Sequence, residues 1–298
     1  MLKLEKLCDS LSYTQIAVSQ YDKKLLSSVK IHGGIHGTIV IHNACPALKI
    51  TQEQLIYQKL FEQLKKSGKK IILSISRFNT TQNSQGIYCQ SKQQKNFPLT
   101  LEVAKSLGED YQFIWIGNTG IAPQSLPKNI MLLGSLANAK AYLPLADLFL
   151  LLSHYEGLPI SILESLSVGI PVLASAVGGV EELIKEGETG FLDYSHKADL
   201  ISQKIKKLFA SPQKLKQAMY AKAKKAYGKV IDTLVKLTKR SKKLAGVLPE
   251  NVTIKIKVIT IKACTHKAQA NIFFLLVLTI ASGHKPLGLP PMSCFKEE

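Results

Sequence analysis

Arginine is nearly absent from this chain. Of its 39 basic residues only Arg77 and Arg240 are arginine, so the formal net charge of +18 is carried by lysine. Proteins that read nucleic acid lean on arginine forks and aromatic platforms. Here aromatics make up 7% of the chain and are not interleaved with the lysines, so no nucleic-acid partner is expected. Cysteine is also scarce. Cys8, Cys45, Cys89, Cys264 and Cys294 are odd in number and scattered, with no C-x-x-C pair. That excludes a zinc or disulfide framework and points to a reducing compartment. Long hydrophobic runs are lacking as well. The run "IFFLLVLTIA" (272–281) falls short of the roughly 20 residues a membrane helix needs. The N-terminal stretch shows no apolar signal core. These absences predict a cytoplasmic protein. Its 298 residues, 46% hydrophobic and 20% charged, have room for one large domain or two ordinary ones.

What is present is a rhythm. Short apolar runs stand at 71–76, 112–117, 130–134, 148–153, 171–175 and 190–192, each bounded by Gly, Pro or Asn. Being apolar on both faces, they suit strands buried between two helical layers. Between them lie the helical stretches "FPLTLEVAKSL", "ANAKAYLPLA", "PISILESLSV" and "VEELIKEG". The alternation predicts an α/β protein with a Rossmann-like, doubly wound parallel sheet. Two more helices are expected in "KADLISQKIKKLFAS" and "PQKLKQAMYAKAKKAYGK". Upstream, "IAVSQYDKKLL" reads as a strand, a serine cap and a short helix, and "TIVIHNACPAL" as a strand running into a linker. The expected division is residues 1–50 as the trailing edge of one domain plus a linker, 51–228 as a ligand-binding domain, and 229–298 as a basic and apolar tail. Within that tail "VTIKIKVITIK" alternates as a half-exposed strand would, outside the rhythm of the sheet.

The chemistry concentrates in "HYEGLPISILESLSVGIPVLASAVGG" (154–179). A buried strand ends here, and its loop places Glu156 in the crevice beyond the strand's carboxyl end, where open α/β sheets bind ligands. Pro159 fits the first turn of the next helix, and Glu164 lies on the second turn. The amides of Gly157, Leu158 and Ile160, with the positive helix end behind them, suit a phosphate. Two carboxylates beside a phosphate would repel it, but they accept hydrogen bonds from hydroxyls. A phosphate seat flanked by hydroxyl acceptors fits a nucleotide sugar.

The spacing Glu156–Glu164 is an E-x7-E motif, and the run "SVGIPVLASAVGGVEELIKEGETGFL" that follows resembles the C-terminal, donor-binding domain of GT-B glycosyltransferases of family 4 (glycosyl transferases group 1). The resemblance covers roughly residues 12 to 228 and is strongest from 130 to 192. It implies a retaining transfer of a hexose-type sugar from a UDP- or GDP-linked donor to a glycan or lipid-linked acceptor, with no metal or other cofactor. It places Glu156 at the donor sugar as the catalytic-site carboxylate, Glu164 at the ribose, and Gly157, Leu158, Pro159 and Ile160 along the donor. The family's basic pair for the diphosphate falls on Arg77 in "SISRF" and on Lys95 in "KNFPL", with Lys92 as the competitor after an insertion. The acceptor-binding domain of the family is largely missing, which implies a separate partner subunit, a fragment or a disrupted gene product.

Other readings stand beside these. The chain could be a nucleotide-sugar-binding module without transfer activity, and a two-domain epimerase would carry other acids in place of the E-x7-E turn. His32 and His36 in "HGGIHG", with His42 nearby, have metal-like spacing, but three glycines favour a loop over a helix. No acidic residue lies between Asp199 and Asp232, so the lysines there form either a solvated helix face or a peripheral contact with the anionic inner face of a membrane.

Overall fold

The computed structural model describes residues 15–29, 37–43, 56–80, 94–120, 126–211, 217, 221–222, 252–261 and 273–282. They fall into two compact units. One holds residues 15–17, 25–29, 37–39, 252–261 and 273–282; the other spans Val18–Lys24 and Val40–Val235. In chain order the elements are β1 (Gln15–Ala17), α1 (Gln20–Ser28), β2 (Thr38–Val40), α2 (Gln58–Lys66), β3 (Lys70–Thr80), α3 (Phe97–Leu107), β4 (Tyr111–Gly120) and β5 (Ile130–Leu132). Then come β6 (Leu148–Leu151), α4 (Ile160–Val168), β7 (Val172–Ser175), β8 (Gly190–Asp193), α5 (Ala198–Ala210), β9 (Val252–Ile261) and β10 (Phe273–Ser282).

The larger unit is built on a parallel sheet in the order β5-β4-β3-β6-β7-β8. All six apolar runs of the sequence are its strands. The chain winds outward from β3 to β4 and β5, then crosses back to lay β6, β7 and β8 on the other side. This reversal puts a topological switch point between β3 and β6. The runs are apolar throughout because alternate residues serve opposite layers. Ile71, Leu73, Phe149 and Leu151 pack with Phe61 of α2 and with Ile162, Leu163 and Leu166 of α4. Ile72, Leu148 and Leu150 pack on the other face with Leu99 and Val103 of α3 and Ile201 and Ile205 of α5. Each of these side chains contributes about 1.5–3 kcal/mol by leaving water.

Two of the predicted helices take another form. "ANAKAYLPLA" folds as a 3-10 helix, Ala139–Leu145, with Pro144 inside it and unable to donate the α-helical bond. In "VEELIKEG" only a short 3-10 turn, Gly178–Glu182, forms. The side chain of Glu186 bonds the Leu192 amide and Glu182 bonds the amides that open α1, so both acids are tied to other elements. Of "PQKLKQAMYAKAKKAYGK" only residues 217, 221 and 222 lie among those described, and they are helical.

The serine cap of α1 forms as read: the Asp22 amide donates to Ser19 Oγ at 2.9 Å. In the smaller unit β1 pairs with β2, and β9 with β10 in a separate antiparallel pair running from Phe273↔Ile261 to Ser282↔Val252. The run "IFFLLVLTIA" is thus mostly β10. Among the described residues no helix is long and apolar enough to cross a membrane.

Candidate functional site

The loop after β6 carries Ser153, Glu156 and Gly157 into the crevice at the switch point. Pro159 stands just ahead of α4 in an extended conformation, so the helix opens at Ile160, one residue later than the sequence pattern predicts. Gly157 and Leu158 have their carbonyls taken. The Gly179 amide donates to Gly157 O at 2.7 Å and Asn43 Nδ2 to Leu158 O at 2.8 Å. No hydrogen bond among the described residues takes the amides of Gly157, Leu158 or Ile160. The fold therefore anchors this loop by its carbonyls, and its three amide donors have no partner among the described residues.

Glu156 is buried, its side chain 7% exposed, and is held by side chains alone. Its Oε1 accepts from Ser153 Oγ at 2.7 Å and lies 2.5 Å from Lys95 Nζ; Gln94 Nε2 stands 3.5 Å from Oε2. Gln94 also donates to Tyr155 O, and its own carbonyl accepts from the His154 amide. The structure so brings together Lys95 and Glu156, which the sequence placed 61 residues apart. Lys92 lies outside the described residues.

Gly178 is required where it stands. Its φ is +61°, and a Cβ there would sit 1.7 Å from the carbonyl oxygen of Glu156. The glycine turn after β7 thus lies directly on the backbone of the Glu156 loop.

Arg77 occupies a bulge in β3, where pairing with β4 slips between Ile75 and Phe78. Two features of β4 build the bulge. Trp115 Nε1 donates to Ser76 O at 2.8 Å. Gly117, at φ +110°, lets that carbonyl approach to where a Cβ would be only 2.6 Å away. The Arg77 side chain is exposed at the carboxyl edge of the strand next to β6. Ser76 within β3 and Ser175 at the end of β7 have buried hydroxyls without a partner among the described residues, as do Thr100 of α3 and Ser202 of α5.

Glu164 sits on the second turn of α4, half-buried. Burial pushes its carboxyl up, and Lys140 pulls part of the way back. Its helix is fixed by Ile162, Leu163 and Leu166 on the core face.

Behind the loop lies a second polar cluster that the sequence did not reveal. Glu182 accepts from the amides of Gln20 and Tyr21 at the start of α1 and lies 2.8 Å from His42 Nε2. Asp22 is buried and accepts from Ser19 Oγ at 2.7 Å. Burial pushes its carboxyl up, the Ser19 hydroxyl opposes this, and Glu182 adds to the rise. Of the histidines considered for a metal, His32 and His36 lie outside the described residues, and His42 is engaged by Glu182. His154 turns its ring onto His196, 6.3 Å between centroids, toward the β8 loop. A cleft of about 320 Å³ between that loop and α5, lined by Tyr194, Leu200, Lys204 and Lys207 among others, lies at the sheet's far edge and not at the switch point.

Sequence reasoning named Arg77, Lys95, Glu156 and Glu164 as candidates; it did not name Gln94, Ser153 and Asn43, which hold the Glu156 loop by hydrogen bonds. Ser153, three residues before Glu156, was open to inference as a local partner; Gln94 and Asn43 act across 62 and 115 residues, which no local pattern reports.

The family model described as Glycosyl transferases group 1 matches residues 57–226. The chain is similar to N-acetyl-alpha-D-glucosaminyl L-malate synthase of Bacillus anthracis, 28% identical over 148 residues, covering 47% of this chain and 37% of that protein. It is also similar to a UDP-Gal:alpha-D-GlcNAc-diphosphoundecaprenol alpha-1,3-galactosyltransferase of Escherichia coli, 38% identical over 68 residues, covering 23% of this chain and 18% of the relative. The chain thus spans little more than a third of the Bacillus protein's length and less of the other. Its fold is similar to that of Anabaena Alr3699/HepE in complex with UDP-glucose, with TM-score 0.64, 20% identity, and coverage of 83% of this chain and 67% of that one. Sucrose-phosphate synthase from Thermosynechococcus elongatus gives TM-score 0.65 at 18% identity, covering 83% and 62%.

Proposed function

Since the chain belongs to the glycosyl transferases group 1 family, we propose that it holds the nucleotide-sugar donor of a retaining glycosyl transfer in the crevice beyond β3 and β6. The observation that carries this reading is Glu156, a buried carboxylate held only by side chains and set beside a loop with free amides. Arg77, Lys95 and the amides of Gly157, Leu158 and Ile160 take the diphosphate. Pro159 fixes the angle at which those amides point. Glu164 accepts from the ribose hydroxyls and Glu156 from the donor sugar. The cations and the helix end supply the positive charge, so no metal is assigned to the site.

Transfer in this reading breaks the bond from the sugar's anomeric carbon to the phosphate oxygen and forms the bond to the acceptor oxygen on the same face. The acceptor's proton passes to the departing phosphate. The acceptor is a glycan or a lipid-linked sugar, in keeping with the diphosphoundecaprenol acceptor named for the similar Escherichia coli protein. Its wall of the cleft comes from a further domain, since both walls must hold the reactants together.

Calorimetry with UDP, GDP and ADP, without added metal, tests the donor site. Saturable binding of at least one is expected. Glu164→Ala should weaken it about tenfold or more, since a bond to a charged acceptor contributes roughly 1.5–3 kcal/mol. A folded chain that gives no heat with any of the three contradicts the reading.

A further inference from the structure

We infer that Lys95 is exchanged between Glu156 and the donor's diphosphate, so that filling the phosphate seat frees the carboxylate for the sugar. The inference rests on the donor-site reading above and adds an order of events to it. The two residues were assigned to different parts of the donor, yet here they neutralise one another at 2.5 Å, with side chains 18% and 7% exposed. A carboxylate this buried is costly to leave without its cation. The lysine therefore cannot serve the phosphate without a penalty at Glu156, and the penalty is relieved only when hydroxyls replace the ammonium.

The side chains present make such an exchange feasible. Lysine carries a compact charge on a flexible stem and can swing between acceptors. Glu156 does not swing with it, because Ser153 Oγ bonds the same oxygen at 2.7 Å and Gln94 Nε2 flanks the other. Ser153 is itself fully buried. Ser153 and Gln94 are thus positioning residues that keep the carboxylate aimed after the lysine leaves. A nucleoside diphosphate without sugar draws Lys95 away and offers nothing in return, so Glu156 opposes its binding. A nucleotide sugar supplies both halves.

A double-mutant cycle on the full chain tests this. The tightest binder among UDP, GDP and ADP is titrated into the wild type, Glu156→Gln, Lys95→Met and the double variant. Glu156→Gln is expected to bind the nucleoside diphosphate about fivefold tighter, because Lys95 is released in advance. In the Lys95→Met background the same substitution should change affinity by less than about twofold. Should Glu156→Gln melt well below the wild type, Glu156→Asp keeps the charge, withdraws it from Lys95, and should still tighten binding. An unchanged affinity in a folded Glu156 variant, or a gain that persists without Lys95, overturns the exchange and leaves the donor site standing. No nucleoside diphosphate binding in any variant overturns the donor site and the exchange together.

Discussion

Asp193 and Glu156 are both buried carboxylates at the carboxyl edge of one parallel sheet, and they are held in opposite ways. Asp193, at the end of β8, accepts from Ser195 Oγ, the Ser195 amide and the His196 amide, all within its own turn. Glu156, beyond β6, accepts from Ser153, Lys95 and Gln94, with two of these coming from a different part of the chain. A carboxylate satisfied by the amides of its own turn is committed once the turn forms. One satisfied by side chains can trade partners by rotamer changes alone. The first arrangement shapes a loop and the second can receive a ligand. By the same measure Glu182, Glu186 and Asp147, each bonded to backbone amides, serve the fold.

The largest effect expected from this contrast is at Gly178. Alanine there places a Cβ against the Glu156 carbonyl in a left-handed conformation, and should cost more than about 3 kcal/mol of stability in urea unfolding. A near-neutral result would mean that the Glu156 loop is not fixed by its backbone. Next in size is Asp193→Ala. Losing its charge-assisted bonds should destabilise the protein by roughly 2–4 kcal/mol. In the fraction that stays folded, calorimetry should find nucleoside diphosphate affinity unchanged within about twofold. A specific loss of affinity at unchanged melting temperature would erase the distinction between the two loops.

The smallest effect separates burial from function at Glu164. Its carboxyl is raised by burial, so its favourable contribution to stability exists below its unfolded pKa and is lost as pH rises through the folded one. Glu164→Gln should therefore raise the melting temperature at pH 7, and the gain should vanish below about pH 4. The same raised pKa makes ligand binding fall off on acidification earlier than an ordinary carboxylate would. A melting temperature that drops at pH 7 and not at pH 4 would reverse the sign and contradict a raised pKa.

The sheet was legible because its strands are buried on both faces. Runs such as "IILSIS" and "LFLLLS" leave no alternation to misread, and their spacing leaves room for crossover helices. The E-x7-E stretch was legible because both acids and their turn are local. What escaped was set by contacts distant in sequence. "VEELIKEG" has helical composition, but Glu182 serves the amides of Gln20 and Tyr21, 162 and 161 residues away, and only a short 3-10 turn forms. The partners of Glu156 were hidden for the same reason: Gln94 and Lys95 follow an insertion whose return path no local pattern encodes. The late strand β9 was readable as an extended segment from its alternation, while β10 and the pairing of the two were not.

Hydrogen–deuterium exchange with and without the tightest-binding nucleoside diphosphate reads both loops in one experiment. Slowed exchange is expected in the segment 153–164 and around residues 76–77 and 94–95, with the turn 193–197 unchanged. Protection confined to 193–207, with none in 153–164, would put the ligand at the sheet's far edge and contradict the assignment of the site to the crevice between β3 and β6.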